Sequence, residues 1–432
     1  MLTSRLSPRL LPRTCVSILT LFLSSRTFAD ERDAGSDSDG VHLTAPFLAD
    51  VKTSLARVYL RPDVDSPEVG LLRRGATVTV TACSPNCAAL NGWGVLGTDG
   101  VVEFNRLSPV REQVEASALP AAANLWYGRV GKLGIKIFRE PQLSANVLTR
   151  KRLSRELAFY PNVDLRKTGW FERVEGGFVR AARVEALRPS LFQGEVRPVL
   201  PLAFVIRELR ARAGAGVDGF HRYDRMTVHG FDARHIATDR GELPRGAVRI
   251  ISQHDIPPSI PIDAKWVLVD LSQQTLTAYD GGTAVYATLI SSGKDEKNSE
   301  TSVGLFQVKR KMAYSDMHGE SDDPYDVDRV PDALYYHKNE ALHGTYWHDR
   351  FGSPASHGCV NLSLADAQWL FDWSPPTLPR HWSAINPRAA DLVSLWVLVE
   401  RRANASFAPL ATERSGYSDS NDARSRLPTA VR

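Results

Sequence analysis

SHGCVN, at residues 356–361, is the most informative stretch of this sequence for fold and chemistry, and HGT at residues 343–345 precedes it. It places Cys359 beside a glycine, with His357 two residues before it and His343 further upstream. A free cysteine has a pKa of about 8.5, so at neutral pH it needs a base to become a thiolate nucleophile. The two histidines are the nearby bases, and spacing alone leaves open which of them takes the proton.

The glycine before the sulfur supports the same chemistry. The backbone at Gly358 carries no side chain, so its N–H group and that of Cys359 can point at a developing oxyanion. Two simpler interpretations compete with this one. A free cysteine is often an inert buried residue, but a neighbouring glycine and histidine are not typical of an apolar pocket. A zinc site is disfavoured, because His343 and His348 are spaced so that they do not converge on a helix or a strand.

These residues resemble the L,D-transpeptidase (YkuD) family of bacterial cell-wall enzymes. The family pattern is a His-Gly pair, a spacer and Ser/Thr-His-Gly-Cys, which reads here HGTYWHDRFGSPASHGCVNL. The resemblance covers residues 265–373, and TSVGLF at residues 301–306 is similar to the family's Thr-Pro-x-Gly-x-Phe strand. There are three departures: a somewhat short spacer, Ser302 where proline is usual, and Asn361 where arginine is often found.

The resemblance implies a role for each residue of the pattern. Cys359 is the expected nucleophile, His343 the expected general base, and His357 the residue that tunes or orients the sulfur. Oxyanion and orienting roles are expected of Gly358, Gly344 and Ser356, the last through its hydroxyl. Candidate substrate contacts are Tyr325, within a polar segment that suits a lid, and Asn361.

The reaction implied is acyl transfer on a peptidoglycan tetrapeptide stem. The thiolate attacks the carbonyl of the third, diamino-acid residue at its L centre, D-alanine leaves, and a thioester remains for an amine acceptor. No cofactor and no metal are expected, and carbapenem-type β-lactams are expected to inhibit. The expected partners are stem peptides and a wall-anchored acceptor protein. Alternatives are an L,D-carboxypeptidase that uses water and a non-catalytic wall-binding protein; a papain-like endopeptidase is disfavoured because its cysteine precedes its histidine.

The N-terminus predicts export. Residues 1–29 combine arginines, the short apolar run CVSILTLFL and a small-residue cleavage site, which is typical of a signal peptide. The run is too short for a membrane span, so no span is expected after cleavage, and the periplasm or cell envelope is the expected location. The chain has 53 basic and 49 acidic residues. Four of the arginines belong to the signal, so the mature charge is near neutral and does not indicate nucleic-acid binding.

Cysteine usage agrees with export. Cys83 and Cys87 flank a proline turn and can form a disulfide in an oxidising compartment. Cys15 lies within the predicted signal, so Cys359 is the thiol left without a partner. An unpaired thiol in an exported protein calls for a reason, and catalysis supplies one.

The rest of the chain predicts a mainly β protein. Two stretches share an order of short alternating strands, basic turns and a Gly-Trp pair, which favours small β-barrels and resembles bacterial SH3-like domains. Trp93 and Trp170 of these pairs suit either a ligand groove or a core. The expected fold has two SH3-like barrels, a β-rich connecting module and a YkuD-type β-sandwich with a short helix after the nucleophile. The predicted divisions are a signal at 1–29, a linker at 30–44, SH3-like domains at 45–112 and 122–190, a connecting module at 191–262, a catalytic domain at 263–402 and a disordered tail at 403–432.

Overall fold

The fold is taken from a computed structural model. It describes residues 45–53, 55–87, 92–97, 99–110, 122–131, 134–151, 155–210, 219–296, 299–319, 325–379, 382–387 and 392–402. The predicted signal peptide, linker and C-terminal tail lie outside these residues, as do residues 320–324 of the predicted lid. Among the helices of the described part, none has the length and hydropathy of a membrane span.

The described chain is mainly β, as predicted. The first segment contains β1 (Phe47–Val51), β2 (Leu55–Tyr59), β3 (Glu68–Arg73), β4 (Thr77–Val80), β5 (Ala82–Ser84), β6 (Trp93–Val95), β7 (Val101–Glu103) and β8 (Leu107–Pro109). The second contains β9 (Trp126–Val130), β10 (Ile135–Phe138), β11 (Val147–Lys151), β12 (Arg155–Phe159), α1 (Val163–Lys167), β13 (Trp170–Glu172), β14 (Phe178–Arg180) and β15 (Glu185–Leu187).

The remaining elements belong to the connecting and C-terminal segments. The connecting segment contains β16 (Glu195–Val196), β17 (Leu202–Val205), β18 (Arg225–Phe231), β19 (His235–Thr238), β20 (Gly241–Pro244) and β21 (Val248–Ile251). The C-terminal segment contains β22 (Lys265–Asp270), β23 (Thr275–Asp280), β24 (Thr283–Leu289), β25 (Gly304–Gln307), β26 (Arg310–His318), β27 (Asp326–His337), β28 (Glu340–Gly344), β29 (Val360–Leu362), α2 (Leu364–Trp373), β30 (Trp382–Ile385) and β31 (Trp396–Glu400). Short 3-10 turns lie at Phe104–Arg106, Ala122–Asn124, Ala181–Arg183 and Arg245–Ala247.

The C-terminal segment is built from two packed sheets and one helix. One sheet has the order β16-β24-β23-β22-β31-β25, and the other contains β27, β28 and β29. Strand β22 is buried along almost its whole length, as expected of a strand covered on both faces. Val267 from the first sheet, Leu342 from the second and Leu370 from α2 lie in one hydrophobic cluster. The core therefore lies between the sheets, with the helix closing it.

Helix α2 begins where the sequence predicts. The Ser363 side chain accepts a hydrogen bond from the backbone N–H of Asp366, which makes Ser363 the N-cap. The helix ends at Trp373, before the Pro375–Pro376 pair that cannot continue it. This helix follows the SHGCVN stretch directly and packs against the strands that carry it. The predicted short helix after the cysteine is confirmed.

The two N-terminal segments do not stand apart from the C-terminal one. A long sheet runs in the order β15-β9-β12-β27-β26-β30-β3-β2-β7-β6-β5, so strands of all three segments are hydrogen-bonded in one path. Strand β12 pairs with β27 in parallel, and β30 pairs with both β26 and β3. A Cβ at Gly70 in β3 would lie 2.3 Å from the ring of Trp382 in β30, so only glycine permits this approach. No closed barrel occurs among the described residues, and the SH3-like assignment stays a prediction.

Of the two tryptophans in the predicted repeats, one lies in a core. Trp170 is 4% exposed, and its ring meets that of Phe138 edge to face at a centroid distance of 5.3 Å. Trp93 is half-buried and meets Tyr59 in a similar way. Trp170 is therefore a core residue, while Trp93 keeps part of its surface in solvent. The connecting segment forms its own five-stranded sheet in the order β20-β19-β18-β17-β21.

Candidate active site

The site is organised by the parallel pairing of β28 with β29. His343 in β28 lies opposite Asn361 in β29. Cys359 immediately precedes β29, so this pairing brings it next to the strand that carries His343. Both side chains line one pocket of about 240 Å³. His343 and Cys359, which are 16 residues apart in sequence, are thus brought to one pocket by the pairing of β28 with β29.

The loop before the cysteine is held by hydroxyl groups. The Ser356 hydroxyl donates to the backbone carbonyl of Cys359 and accepts from the N–H of Gly358 at 3.1 Å. Thr301 donates from its hydroxyl to the Gly358 carbonyl at 2.9 Å. Gly358 has a φ of 121°, a region that side-chain-bearing residues rarely adopt. The loop conformation therefore requires glycine, and the Gly358 N–H is used within the loop while the N–H of Cys359 remains the candidate oxyanion donor.

The thiol of Cys359 is protonated at rest. Its Sγ lies 3.7 Å from the backbone carbonyl oxygen of Asn339, to which it donates. Burial raises the pKa of the thiol to about 11, and the nearby Glu340 carboxylate adds to the rise. The side chain is only half-buried, so reagents still reach it. At neutral pH the sulfur is therefore a neutral, accessible nucleophile precursor that needs a base.

His343 is a buried, neutral imidazole. It is 2% exposed, and burial lowers its pKa to about 4. Its Nδ1 lies 3.0 Å from the carbonyl oxygen of Gly344. Because a carbonyl only accepts, Nδ1 carries the hydrogen and Nε2 keeps its lone pair. The contact with the Gly344 carbonyl therefore fixes the tautomer and the orientation of the ring. The ring of Trp347 stacks near that of His343 at 5.8 Å.

His357 and Tyr325 meet at the same pocket. The two rings stack with centroids 4.7 Å apart and planes inclined by 21°. The His357 side chain is exposed, in contrast to His343. Both residues line the pocket together with the cysteine. Burial therefore distinguishes the two histidines that spacing left equivalent. His343 is enclosed and fixed in its tautomer, whereas His357 stacks at the surface.

His348 was not among the predicted site residues, yet it orients Asn361. The backbone N–H of Arg350 donates to its Nδ1 at 3.2 Å, so the neutral ring carries its hydrogen on Nε2. That Nε2 faces the Asn361 amide at 2.9 Å. The amide oxygen of Asn361 is buried and has no hydrogen-bond partner among the described residues. Turning the amide by 180° gives the Nε2–H of His348 an acceptor, so we assign Oδ1 of Asn361 to the side that faces His348.

The ring of His348 stays neutral at physiological pH. Burial, with the nearby Arg350 guanidinium, lowers its pKa to about 4. No spacing signal could have found this residue, because its contact to Asn361 depends on how the chain folds after β28. Glu156, Lys294 and Arg350 also line the pocket, and they too were missed. Glu156 and Lys294 come from segments without a recognisable motif, and Arg350 lies in the spacer of the pattern, where no residue type is expected.

The remaining predicted site concerns the cysteine pair. Cys83 and Cys87 are joined by a disulfide in the first segment. Cys359 is the free cysteine of the described chain. Within the described ranges, no cluster of three or more His, Cys, Asp or Glu side chains could hold a metal ion.

A cysteine and a buried histidine on neighbouring strands of a two-sheet domain define a thiol–imidazole site on a β-sandwich. Residues 264–381 match the YkuD family, described as the L,D-transpeptidase catalytic domain. A putative L,D-transpeptidase of Bacillus subtilis (strain 168), YciB, is 25% identical over 137 residues, which are 30% of this chain and 68% of that protein. The family match and this relative support an L,D-transpeptidase catalytic domain at residues 264–381.

Solved structures of L,D-transpeptidases are also similar. An Enterococcus faecium L,D-transpeptidase mutant is 23% identical, with a TM-score of 0.26, over 32% of this chain and 50% of that chain. An L,D-transpeptidase from Mycobacterium smegmatis is 17% identical, with a TM-score of 0.26, over 50% of this chain and 89% of that chain. The chain spans about half the length of the first of these structures.

Proposed function

We propose that this protein is a peptidoglycan L,D-transpeptidase in which Cys359 forms a thioester with a tetrapeptide stem. The observation that carries the proposal is the register of β28 with β29, which directs Cys359 and His343 into one pocket. Membership of residues 264–381 in a family of peptidoglycan-modifying enzymes supports the substrate class. The acceptor is an amine of a neighbouring stem or of a wall-anchored protein.

The charge states suggest general-base catalysis rather than a preformed ion pair. With a thiol pKa of about 11, about one molecule in 10,000 carries the thiolate at pH 7. A His343 pKa of about 4 leaves Nε2 free to accept a proton at the same pH. The imidazole therefore takes the thiol proton as sulfur attacks, because neither group is ionised beforehand. For this step the sulfur leaves the Asn339 carbonyl and turns toward the ring.

The reaction then proceeds in two acyl transfers. Sγ bonds to the carbonyl carbon of the third stem residue, and the oxyanion receives the N–H of Cys359. The C–N bond to D-alanine breaks as the imidazolium returns its proton to the leaving amine, which yields a thioester. An acceptor amine next attacks that carbonyl, loses a proton to His343, and expels the thiolate, which is reprotonated. Atoms and protons balance without a cofactor, because the thioester retains the acyl group for the acceptor.

Export is part of the same proposal. The N-terminal arginines and apolar run are typical of a secretory signal, and the Cys83–Cys87 disulfide suits an oxidising compartment. The substrate lies outside the cytoplasm, so the periplasm or cell envelope is the proposed location. The two N-terminal segments are proposed as SH3-like wall-associated modules.

The test uses the full mature chain and a defined tetrapeptide stem. Wild type should release D-alanine and show an acyl-enzyme mass on the cysteine peptide, whereas Cys359→Ala should do neither. With an amine acceptor present, mass spectrometry should find the cross-linked product; hydrolysed tripeptide alone would identify a carboxypeptidase instead. Retained binding to isolated wall with no turnover by wild type would identify a non-catalytic binder and refute the proposal. A carbapenem should label wild type once per chain and leave Cys359→Ala unmodified.

A further inference from the structure

The pocket that holds Cys359 is completed by a residue from the second N-terminal segment. Glu156 lies in β12, and its backbone pairs with Val327 of β27 in a parallel register. The pairing brings a carboxylate from far upstream in sequence to the lining of the cysteine pocket. The C-terminal segment alone would therefore present a different pocket, without this acid.

The Glu156 side chain is held in a fixed orientation. Arg129 donates from Nε to Oε1 of Glu156 at 2.8 Å. The same guanidinium lies 3.4 Å from the backbone carbonyl oxygen of Trp347, whose ring stacks near His343. The Glu156 side chain is 13% exposed. This bond uses one of the roughly four acceptor sites of a carboxylate, so the group keeps accepting capacity.

Cations line the same pocket from the other neighbouring loops. Lys294 lies beside the cysteine loop, since its backbone N–H donates to the Ser356 carbonyl at 3.1 Å. Arg350 follows His348 and its carbonyl accepts from the Ser291 hydroxyl. The pocket thus has one carboxylate near β27 and two cationic side chains near the cysteine loop. Such a pocket favours one orientation of a charged ligand, because in the reverse orientation each charged group of the ligand would meet a pocket side chain of the same sign.

We infer that Glu156 is a specificity-determining residue that binds a primary ammonium group of the substrate. The inference rests on the proposed function. A carboxylate fixed on one oxygen by Arg129 presents the other to a donor without losing side-chain freedom again on binding. Two sources supply this chemistry: the side-chain amine of the diamino acid in the donor stem, and the amine of the acceptor.

The experiment separates the two sources. In the first arm, D-alanine release without acceptor is measured on a stem with a free side-chain amine and on the same stem with that amine acetylated. In the second arm, the acetylated stem is the donor, and the ratio of transfer to hydrolysis is measured as a small amine acceptor is titrated. Each arm compares wild type with Glu156→Gln in the mature full-length chain.

A charge-assisted hydrogen bond predicts a loss of about 10-fold or more in one arm. If the donor amine binds, Glu156→Gln loses that factor in kcat/KM on the free-amine stem, mainly through KM, and leaves the acetylated stem unchanged. If the acceptor binds, the loss appears as a weaker acceptor dependence in the second arm. Glu156→Asp, which keeps the charge, should recover part of either loss.

The matched control is Glu185→Gln on β15, which is exposed and lies opposite Arg129 in the strand register. It should leave both arms at wild-type values. Equal carbapenem labelling of all variants shows that the site around Cys359 is intact. The inference is overturned if Glu156→Gln keeps both the wild-type preference for the free-amine stem and the wild-type dependence on the acceptor amine. Absence of D-alanine release by wild type is a different result, because it refutes the proposed function itself. Should Glu156→Gln fail to fold, Glu156→Asp and competition of wild-type turnover by methylammonium decide the question.

Discussion

Arg173 and Asp328 form a buried ion pair that joins the second N-terminal segment to the C-terminal one. The guanidinium lies 2.7 Å from the carboxylate, and the side chains are 8% and 2% exposed. Asp328 lies in β27, which also pairs with β12, and the rings of Tyr127 and Tyr346 stack across the same junction at 3.9 Å. The junction is therefore made of hydrogen-bonded backbone, an aromatic stack and a desolvated charge pair.

Because this pair is desolvated, Arg173→Met should lower the free energy of unfolding by about 3–5 kcal/mol. The substitution leaves the buried carboxylate of Asp328 without its counter-charge, and an uncompensated buried charge is strongly destabilising. Urea denaturation of wild type, Arg173→Met, Asp328→Asn and the double variant measures the coupling. The double variant should lose less than the sum of the single losses.

An exposed pair provides the control for that cycle. Lys167 and Asp164 lie 3.0 Å apart but are 73% and 90% exposed. Lys167→Met should change the free energy of unfolding by less than about 0.5 kcal/mol. Additive losses at Arg173 and Asp328 would show that the two charges do not support each other across the junction.

The raised pKa of Cys359 predicts an unusual pH profile for thiol alkylation. Below a pKa of about 11 the thiolate fraction rises roughly tenfold per pH unit. The rate of iodoacetamide labelling should therefore keep rising from pH 7 to pH 10, with no plateau near neutrality. Quenching the reaction at timed points, followed by mass spectrometry of the Cys359 peptide, measures the labelling rate, and a small thiol serves as the reference. A rate that is already constant between pH 7 and pH 10 would instead indicate a preformed thiolate–imidazolium pair.

His343 predicts that acid weakens the fold. Its pKa falls from 6.5 to about 4 on folding, so between these values the unfolded chain binds more protons than the folded one. The corresponding stability is fully present above pH 6.5 and is lost as the pH falls toward 4. The loss between pH 7 and pH 5 amounts to about 2 kcal/mol.

The variant His343→Gln removes that titration. Its unfolding free energy should therefore change about 2 kcal/mol less than that of wild type between pH 7 and pH 5. Urea denaturation at both pH values measures the difference. The exposed His229 lies outside the pocket, and His229→Gln should keep the wild-type dependence. Identical slopes for wild type and His343→Gln would show that this histidine is not buried as a neutral ring.

Much of the site could be predicted from sequence because its residues are close along the chain. The SHGC stretch fixes the cysteine, its glycine and the serine that ties the loop, and these contacts are local. The His343 tautomer likewise depends on the next residue, Gly344. The helix after the cysteine followed from a serine N-cap and a proline pair, both of which act through the backbone.

Other features depend on which strands meet, and sequence patterns do not encode that. Glu156 reaches the pocket through one parallel pairing between separate segments. Lys311 looks like a surface residue in sequence but is 0% exposed. Its ammonium donates to the carbonyl of Phe371 in the last turn of α2 and to those of Ser374 and Pro376 just after the helix. The pattern of short strands was read correctly as β structure, but it could not show that these strands would join the sheet of the C-terminal segment.

The His348–Asn361 contact yields a final prediction about charge. With Oδ1 of Asn361 facing the Nε2–H of His348, the variant Asn361→Asp keeps the acceptor and adds a negative charge beside the ring. An opposite charge in contact favours the protonated imidazole, so the pKa of His348 should rise from about 4 by about 1–3 units. Histidine ring signals followed by NMR across pH 3 to 8 measure the shift, and the His229 signal serves as the internal reference. Asn361→Leu removes the acceptor without adding charge and should leave His348 neutral to low pH. An unchanged His348 titration in Asn361→Asp would show that the side chain at position 361 does not contact the ring of His348.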